Sequence, residues 1–235
     1  MAADRELAAQ LRTVVPEITT MSVQNRRFLG RVVRHLAEQG IDQFLDIGTG
    51  LPTRNNVHEV AQSVNPTARV VYVDNDPTVL VHARALLAEN PNTIVVNGDL
   101  RRPSEFLMND ELRTLIDFSR PVAVLLFGVL YFLTDEDKPY EVVAQLREAV
   151  VPGSYLAISH VVSEDRPDEF ATAARIYGSA PHRESDPTHT RESVRTFFDG
   201  MDMVEPGLVS VRDWRPDSPD DSPSNWMMGG LARQR

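Results

Sequence analysis

The chain has 235 residues, enough for one domain with a sizeable core, and a net charge of −10 that disfavours nucleic acids and anionic membranes as partners. It has no cysteine, which excludes disulfides, thiolate chemistry and cysteine-based zinc sites. No apolar run approaches the roughly 18–20 residues that span a bilayer, and the N-terminus lacks the layout of a signal peptide. We therefore expect a cytoplasmic protein without a membrane or nucleic-acid partner.

Two helices are predicted before the first strand. The first covers residues 3–15, and Pro16 ends it because proline disfavours the helical conformation of the residue before it. The second has Ser22 as its predicted N-cap and ends at Gly40. Its apolar residues recur at helical spacing and predict one buried face, formed by Phe28, Leu29, Val32, Val33 and Leu36.

Strands and helices then alternate along the chain. Short apolar runs typical of buried strands cover about 42–47, 69–74, 93–97, 122–127 and 155–160. Amphipathic patterns predict helices between them, at about 57–64, 77–87, 106–116 and 135–151. This alternation predicts a parallel, doubly wound α/β sheet with right-handed crossovers and helices on both faces.

The last third of the chain has a different pattern. Two further helices are predicted, near 167–178 and 190–199, followed by the segment 202–212 and a final strand near 225–232. No helix separates these last two segments, so they must pair antiparallel or nearly so. We expect a single domain over 1–235, with N-terminal helices over 1–40, a helical insertion over 161–200 and a mobile loop over 215–224.

The stretch Phe44–Thr53 links the first strand to the next helix. It places Asp46 at the end of an apolar run and then turns through Gly48 and Gly50. A strand that enters a glycine turn and opens a helix is where α/β sheets bind nucleotide-like cofactors. The glycines would let the backbone approach a ligand that side chains would block.

Acidic residues follow three strands in this pattern: Asp46, Asp74 and Asp99. A dinucleotide would bring a pyrophosphate, which is repelled by a carboxylate such as Asp46 and usually meets a third glycine where this chain has Thr53. The α-ammonium of S-adenosylmethionine suits Asp46, its ribose hydroxyls suit Asp74, and its adenine suits Asp99. Leu100 would pack on the adenine ring. Each acid alone is also explained as a helix cap or a solvated loop residue, and an NAD-dependent oxidoreductase is the less favoured reading of the pattern.

These residues resemble the class I S-adenosylmethionine-dependent methyltransferases. More narrowly, the run Leu-Asp-Ile-Gly-Thr-Gly-Leu-Pro-Thr at 45–53 is similar to an actinobacterial family formerly described as a domain of unknown function. The resemblance implies a Rossmann-like fold with a seven-stranded, mostly parallel sheet and an antiparallel last strand, with S-adenosyl-L-methionine as the cofactor. Family members carry a further N-terminal segment, and this chain starts just past it, so we expect a more open cofactor site. We predict cofactor contacts from Asp46, Gly48, Thr49, Gly50, Thr53, Asp74, Asn75, Asp99, Leu100 and Phe127.

Methyl transfer needs a general base only where the acceptor must lose a proton. Tyr131, after the fourth strand, and His160, at the end of the fifth, are the predicted catalytic residues, since histidine titrates near neutrality. The later insertion should contribute to the acceptor site, through Tyr177, His182 and His189. The spacing of these histidines predicts no metal site. The chain lacks the Asn-Pro-Pro-Tyr type of motif that the resemblance associates with amino-group methylation of nucleobases or glutamine, which favours a small-molecule acceptor. The alternative from another class is a cofactor-binding regulatory module without transferase activity.

Overall fold

The computed structural model describes residues 12–52, 55–87, 90–164, 167–178, 190–218 and 226–235. Its helices are α1 (Ile18–Glu38), α2 (Val57–Val64), α3 (Pro77–Leu87), α4 (Pro103–Leu107), α5 (Asp110–Leu115), α6 (Pro139–Glu148), α7 (Pro167–Gly178) and α8 (Arg191–Thr196). Its strands are β1 (Gln43–Ile47), β2 (Arg69–Asp74), β3 (Thr93–Asn97), β4 (Ala123–Phe127), β5 (Tyr155–Val161), β6 (Asp202–Met203), β7 (Val209–Ser210) and β8 (Met227–Arg233). Two 3-10 turns, Leu130–Phe132 and Asp135–Asp137, connect β4 to α6. Across these ranges, no helix combines the length and apolar character that a membrane crossing requires.

All strands form one sheet in the order β3-β2-β1-β4-β5-β8-β6, with β7 also paired to β8. Strands β1 to β5 are parallel, and β8 runs antiparallel to β5, with Tyr155 opposite Arg233. The chain order reverses direction across the sheet between β1 and β4, and ligands bind at this kind of switch point in open α/β sheets. The predicted mostly parallel, doubly wound sheet with an antiparallel last strand is confirmed.

The last position of the sheet differs from the prediction, because two short strands share it. Strand β6 pairs with one end of β8, where Asp202 lies opposite Arg233, and β7 pairs with the other half, where Val209 lies opposite Gly229. Pro206 lies between these two strands and has no N–H to donate to a ladder. Among the described residues, the expected seven positions therefore hold eight strands.

Helix α1 begins earlier than predicted. It starts at Ile18, and Ser22 lies inside it, where its hydroxyl donates to the carbonyl oxygen of Ile18 over 2.9 Å. The prediction of Ser22 as N-cap was wrong because a serine hydroxyl can also bond the carbonyl four residues before it. The end of the helix is as predicted: Gly40 has φ +87°, and the N–H of Ile41 donates to Leu36 O over 3.0 Å, a Schellman motif.

The helix predicted near 106–116 is divided into α4 and α5. Asn109 separates them, and its side-chain oxygen accepts the N–H of Leu112 over 3.1 Å. This N-cap starts a new helix where the apolar spacing alone suggested continuity. The helix predicted over residues 3–15 falls largely outside the described residues.

The core has one part on each face of the sheet. Helices α1, α2 and α3 cover one face through residues such as Leu29, Val60 and Leu80. Helices α4, α5, α6 and α8 cover the other face through Phe106, Leu112, Val143 and Val194. The carboxyl ends of β1, β2 and β4 are thus held between two packed layers, which fixes the turns that follow these strands.

Gly229 of β8 lies directly against Phe28 of α1. A Cβ atom at Gly229 would lie 2.6 Å from Cζ of Phe28, a fully buried side chain. We expect Gly229→Ala to lower the free energy of unfolding by about 1–3 kcal/mol, the usual cost of overpacking a core. Gly30→Ala in α1 is the matched control: its Cβ would meet nothing within 4 Å, so it should raise stability by about 0.5–1 kcal/mol. Urea unfolding of both variants tests this, and equal effects would contradict it.

Candidate functional site

The turn after β1 is shaped by two glycines with positive φ, +73° at Gly48 and +65° at Gly50. The N–H of Gly48 donates to Val73 O over 2.8 Å, which ties the turn to β2. A Cβ at Gly48 would lie 2.7 Å from Cβ of Val129, so only glycine fits there. At Gly50 a Cβ would meet nothing within 4 Å, so the backbone of this turn faces open space.

Asp74 connects the turns after β1 and β2. One of its carboxylate oxygens accepts the N–H of Gly50 and the other accepts the N–H of Asp76, each over 2.9 Å. The side chain is buried, with 9% of Asp74 exposed. Two backbone donors and the packing of both turns therefore hold this carboxylate in one orientation beside the open face of Gly50.

Asp46 is the most unusual acid of the site. It lies opposite Tyr72 in the β1–β2 ladder and is 5% exposed. Burial raises its pKa to about 7, against the opposing effect of Arg26, and the nearby charge of Asp74 raises it further. A buried carboxylate with few compensating charges is poised to gain from a cation placed beside it.

An open cleft with about 300 Å³ of empty space extends from Asp46 between α1, α2 and α3. Arg26 lines it and donates to Oδ1 of Asn56 over 2.7 Å. The hydroxyl oxygen of Tyr72 lies 2.8 Å from Nδ1 of His58 and accepts the N–H of that residue over 3.0 Å. Burial lowers the pKa of His58 and raises the pKa of Tyr72, so both side chains are neutral near pH 7.

The sequence predicted Asp46, Thr49 and Gly50 as site residues but not the other side chains that line this cleft. Arg26, His58 and Tyr72 were not predicted as site residues, because each lies inside a predicted helix or strand. One signal was available in the spacing of Asn56 and Glu59. They form a capping box in which Glu59 accepts the N–H of Asn56 over 2.6 Å, fixing the start of α2 at the cleft.

Asp99 follows β3, as predicted, but its carboxylate already forms an ion pair with Arg101. The Arg101 guanidinium donates to it over 2.7 Å, and the Arg101 N–H donates over 3.0 Å. Burial alone would raise the pKa of Asp99, but these hydrogen bonds outweigh it and hold the pKa below its usual range. Leu100 is buried in the core on the α4 side.

The ends of β4 and β5 bring the predicted catalytic residues together. Tyr131 and His160 have ring centroids 5.9 Å apart at 88°. His160 has no exposed surface, lies 6.3 Å from the ring of Phe197 in a stacked arrangement, and places Nδ1 2.6 Å from Val161 O. Tyr131 is partly exposed. Phe127 packs against Phe28 with ring centroids 5.2 Å apart.

The other predicted positions are placed as follows. Asn75 is exposed in the turn between Asp74 and Asp76. Thr49 lines the cleft, and its buried hydroxyl has no hydrogen-bond partner within the described part of the chain. Outside the described residues lie Thr53, His182, His189, the side chain of Tyr177 and most of the loop predicted over 215–224.

The strand order is that of the Rossmann-like fold, which methyltransferases of known structure share. N-methyltransferase NodS from Bradyrhizobium japonicum WM9 has this fold, with a TM-score of 0.56 at 12% identity, covering 93% of this chain and 98% of its own. Human N-acetylserotonin methyltransferase, solved in complex with S-adenosylmethionine, has a TM-score of 0.56 at 15% identity, covering 98% of this chain and 57% of its own.

Two structures with higher sequence identity point to a more specific family. A DUF574 family protein from Streptomyces avermitilis MA-4680 is 40% identical, with a TM-score of 0.93 and coverage of 99% of this chain and 90% of its own. A proposed methyltransferase from Thermobifida fusca YX is 44% identical, with a TM-score of 0.94 and coverage of 100% and 89%. No curated protein is significantly similar to the chain. A family model described as S-adenosyl methyltransferase matches residues 1–235, and the chain belongs to that family.

The cofactor of this family, S-adenosyl-L-methionine, is therefore the cofactor of the chain. The described residues fit it. The turn at Gly50 leaves room for a ligand, and Asp74 presents a fixed carboxylate beside that room. Asp46 is a buried acid whose pKa is raised by burial despite the charge of Arg26. The buried hydroxyl of Thr49 offers one further polar contact.

Proposed function

We propose that the protein transfers the methyl group of S-adenosyl-L-methionine to a small-molecule acceptor by in-line displacement. One observation carries the proposal: the fixed carboxylate of Asp74 lies beside the open turn at Gly50. Strand β1 lies between β2, which ends at Asp74, and β4, which Tyr131 follows. When bound, the cofactor supplies an electrophilic methyl group to the acceptor. Holding the two reactants in near-attack geometry accounts for much of the rate in such a reaction.

Different residues of the chain contact different parts of the cofactor. Asp74 accepts hydrogen bonds from the ribose hydroxyls, and Asp46 faces the α-ammonium. Asp99 and Leu100 contact the adenine. On cofactor binding, the Asp99 carboxylate either leaves Arg101 or accepts hydrogen bonds from both Arg101 and the adenine amino group. The remaining proposed contacts are those of Gly48, Thr49, Gly50, Thr53, Asn75 and Phe127.

Tyr131 is the better placed of the two proposed catalytic residues. It is partly exposed, whereas His160, in contact with its ring, has no exposed surface. We assign contact with the acceptor to Tyr131 and a positioning role to His160, whose ring meets the Tyr131 ring edge to face. A hydroxyl acceptor would lose its proton to water as its new bond to the methyl carbon forms and the carbon–sulfur bond breaks.

The raised pKa of Asp46 makes cofactor binding depend on pH. Only the ionised carboxylate attracts the ammonium, so binding favours ionisation and releases a proton below pH 7. We expect the affinity for S-adenosyl-L-methionine to rise between about pH 5.5 and about pH 7, by up to about tenfold per pH unit, below the range where the α-amino group itself titrates. Calorimetric titration measures this. Asp46→Asn should bind more weakly at neutral pH and lose the dependence, and a wild-type affinity that is constant over this range would contradict the role of Asp46.

Methyl transfer is tested with cofactor labelled in its methyl group and a panel of phenols, alcohols, amines and carboxylic acids. We expect label in one acceptor class and equimolar release of S-adenosylhomocysteine. If the protein binds the cofactor tightly but transfers no label to any class, it is a binding module instead. We expect no transfer to nucleic acids, because the net charge of −10 opposes their approach, and we place the protein in the cytoplasm.

A further inference from the structure

A cluster of buried polar atoms lies apart from the cofactor acids, between α1 and the ends of β4 and β5. Gln24 is 2% exposed, and neither end of its amide has a hydrogen-bond partner among the described residues. The same holds for Oδ1 of Asn25 and for the hydroxyl of Ser159, which has no exposed surface. Buried polar atoms in native proteins are nearly always hydrogen-bonded, so this cluster calls for a partner that the described chain does not supply.

The fold brings these side chains to one face of the sheet. Phe28, one turn after Gln24, packs on Gly229, and Gly229 lies opposite Ser159 in the β5–β8 ladder. Side chains alternate along a strand, and Ala157 belongs to the core on the α1 side, so Ser159 faces α1 as well. Helix α1 leads down to the start of β1, which puts Gln24 one turn nearer than Phe28 to the carboxyl edge.

Gly128 marks where this cluster reaches the cofactor turn. It has φ +65° and donates its N–H to Ser159 O over 3.0 Å. A carbon placed at its Cβ position would lie 3.5 Å from Nδ2 of Asn25 and 3.6 Å from the hydroxyl oxygen of Tyr131, both ordinary contacts. A space for one carbon atom therefore lies between an amide and a phenol. The next residue, Val129, packs on Gly48 of the cofactor turn.

We propose that Gln24, Asn25 and Ser159, together with Tyr131 above Gly128, bind the polar group of the acceptor, and that this group is a neutral hydroxyl or carboxamide. The inference rests on the proposed function, since it names the substrate class of the same site. Two amides and two hydroxyls both donate and accept hydrogen bonds. None of the four carries a charge to offset a buried carboxylate or ammonium on the ligand.

The test uses benzamide and benzoate, which have nearly the same shape and differ in charge, as probes of the protein saturated with S-adenosylhomocysteine. Saturation-transfer NMR should show benzamide binding to the wild type and benzoate binding about tenfold more weakly. Gln24→Met keeps the length of the side chain and removes its hydrogen-bonding groups. It should weaken the binding of benzamide by about tenfold and leave the affinity for S-adenosylhomocysteine within about twofold of the wild type. Gln145→Met, on the exposed side of α6, is the matched control and should change neither.

Several results would overturn the inference. Benzamide that does not bind the wild type, or binds Gln24→Met equally well, removes the acceptor role. A loss of S-adenosylhomocysteine affinity in Gln24→Met and Asn25→Leu would assign these amides to the amino-acid end of the cofactor. Ser159→Ala is the second variant, should Gln24→Met fold poorly, and it should show the same selective loss of benzamide. Failure of the proposed function is distinct, because it would appear as absent binding of S-adenosyl-L-methionine by the wild type.

Discussion

Asp74→Ala is expected to weaken the binding of S-adenosyl-L-methionine by roughly 5- to 150-fold, which corresponds to about 1–3 kcal/mol. The variant loses the acceptor for the ribose hydroxyls. It also leaves the N–H groups of Gly50 and Asp76 without the carboxylate that now orders them. Both turns of the cofactor site should loosen together. Isothermal titration calorimetry measures the affinity directly, with S-adenosylhomocysteine as a second ligand that shares the ribose.

Asp76→Ala is the matched control for this prediction. Asp76 is exposed two residues further on, and its carboxylate accepts the N–H of Thr78 over 2.7 Å at the start of α3. Its removal should cost about 1 kcal/mol of folding stability, as for other helix caps, while the cofactor affinity should stay close to that of the wild type. If Asp74→Ala bound the cofactor as well as Asp76→Ala, the ribose would have to lie elsewhere.

Gly48→Ala is expected to have the largest effect on folding. The backbone there has φ +73°, which costs an L-residue about 1–2 kcal/mol. The added methyl group would also lie 2.7 Å from Cβ of Val129, and overpacking of this kind adds about 1–3 kcal/mol. Since Val129 precedes the turn that carries Tyr131, the displaced chain should disturb both the cofactor turn and the acceptor side.

Gly50→Ala separates the two causes. Its φ of +65° imposes a similar backbone cost, but its Cβ would meet nothing within 4 Å. Urea unfolding should therefore show Gly48→Ala to be the less stable of the two by at least about 1 kcal/mol. Equal stabilities would mean that Val129 moves away without cost, and that the tight contact does not shape the turn.

The alternation of strands and helices could be predicted from sequence because the periodicity that signals each element is local. Gly40 ended a helix where local rules place the end. The helix predicted from 135 begins only at Pro139, because Asp135–Asp137 form a separate 3-10 turn. The predictions that failed concern side chains that can form more than one hydrogen bond to the nearby backbone. Ser22 and Asn109 can each make two kinds of hydrogen bond to the backbone, and spacing alone does not show which one forms. Strands β6 and β7 at the sheet edge flank Pro206, which cannot donate an N–H to a ladder.

The candidate site was predictable to the extent that it lies at strand ends. Asp46 and Asp74 meet beside Gly50 because parallel strands end at one edge. The cleft at Tyr72 and His58 was not predictable, since it depends on which face of β2 meets α2. The buried state of His160 and the unpartnered amide of Gln24 also follow from packing between segments far apart in the sequence.

The most direct test of the account is calorimetric titration of the purified wild type with S-adenosyl-L-methionine, S-adenosylhomocysteine and NAD. We expect both sulfur compounds to bind at one site with micromolar affinity and NAD to produce no binding heat, because a pyrophosphate would meet the carboxylates of Asp46 and Asp74. Binding of NAD without binding of either sulfur compound would contradict the cofactor site described for this chain.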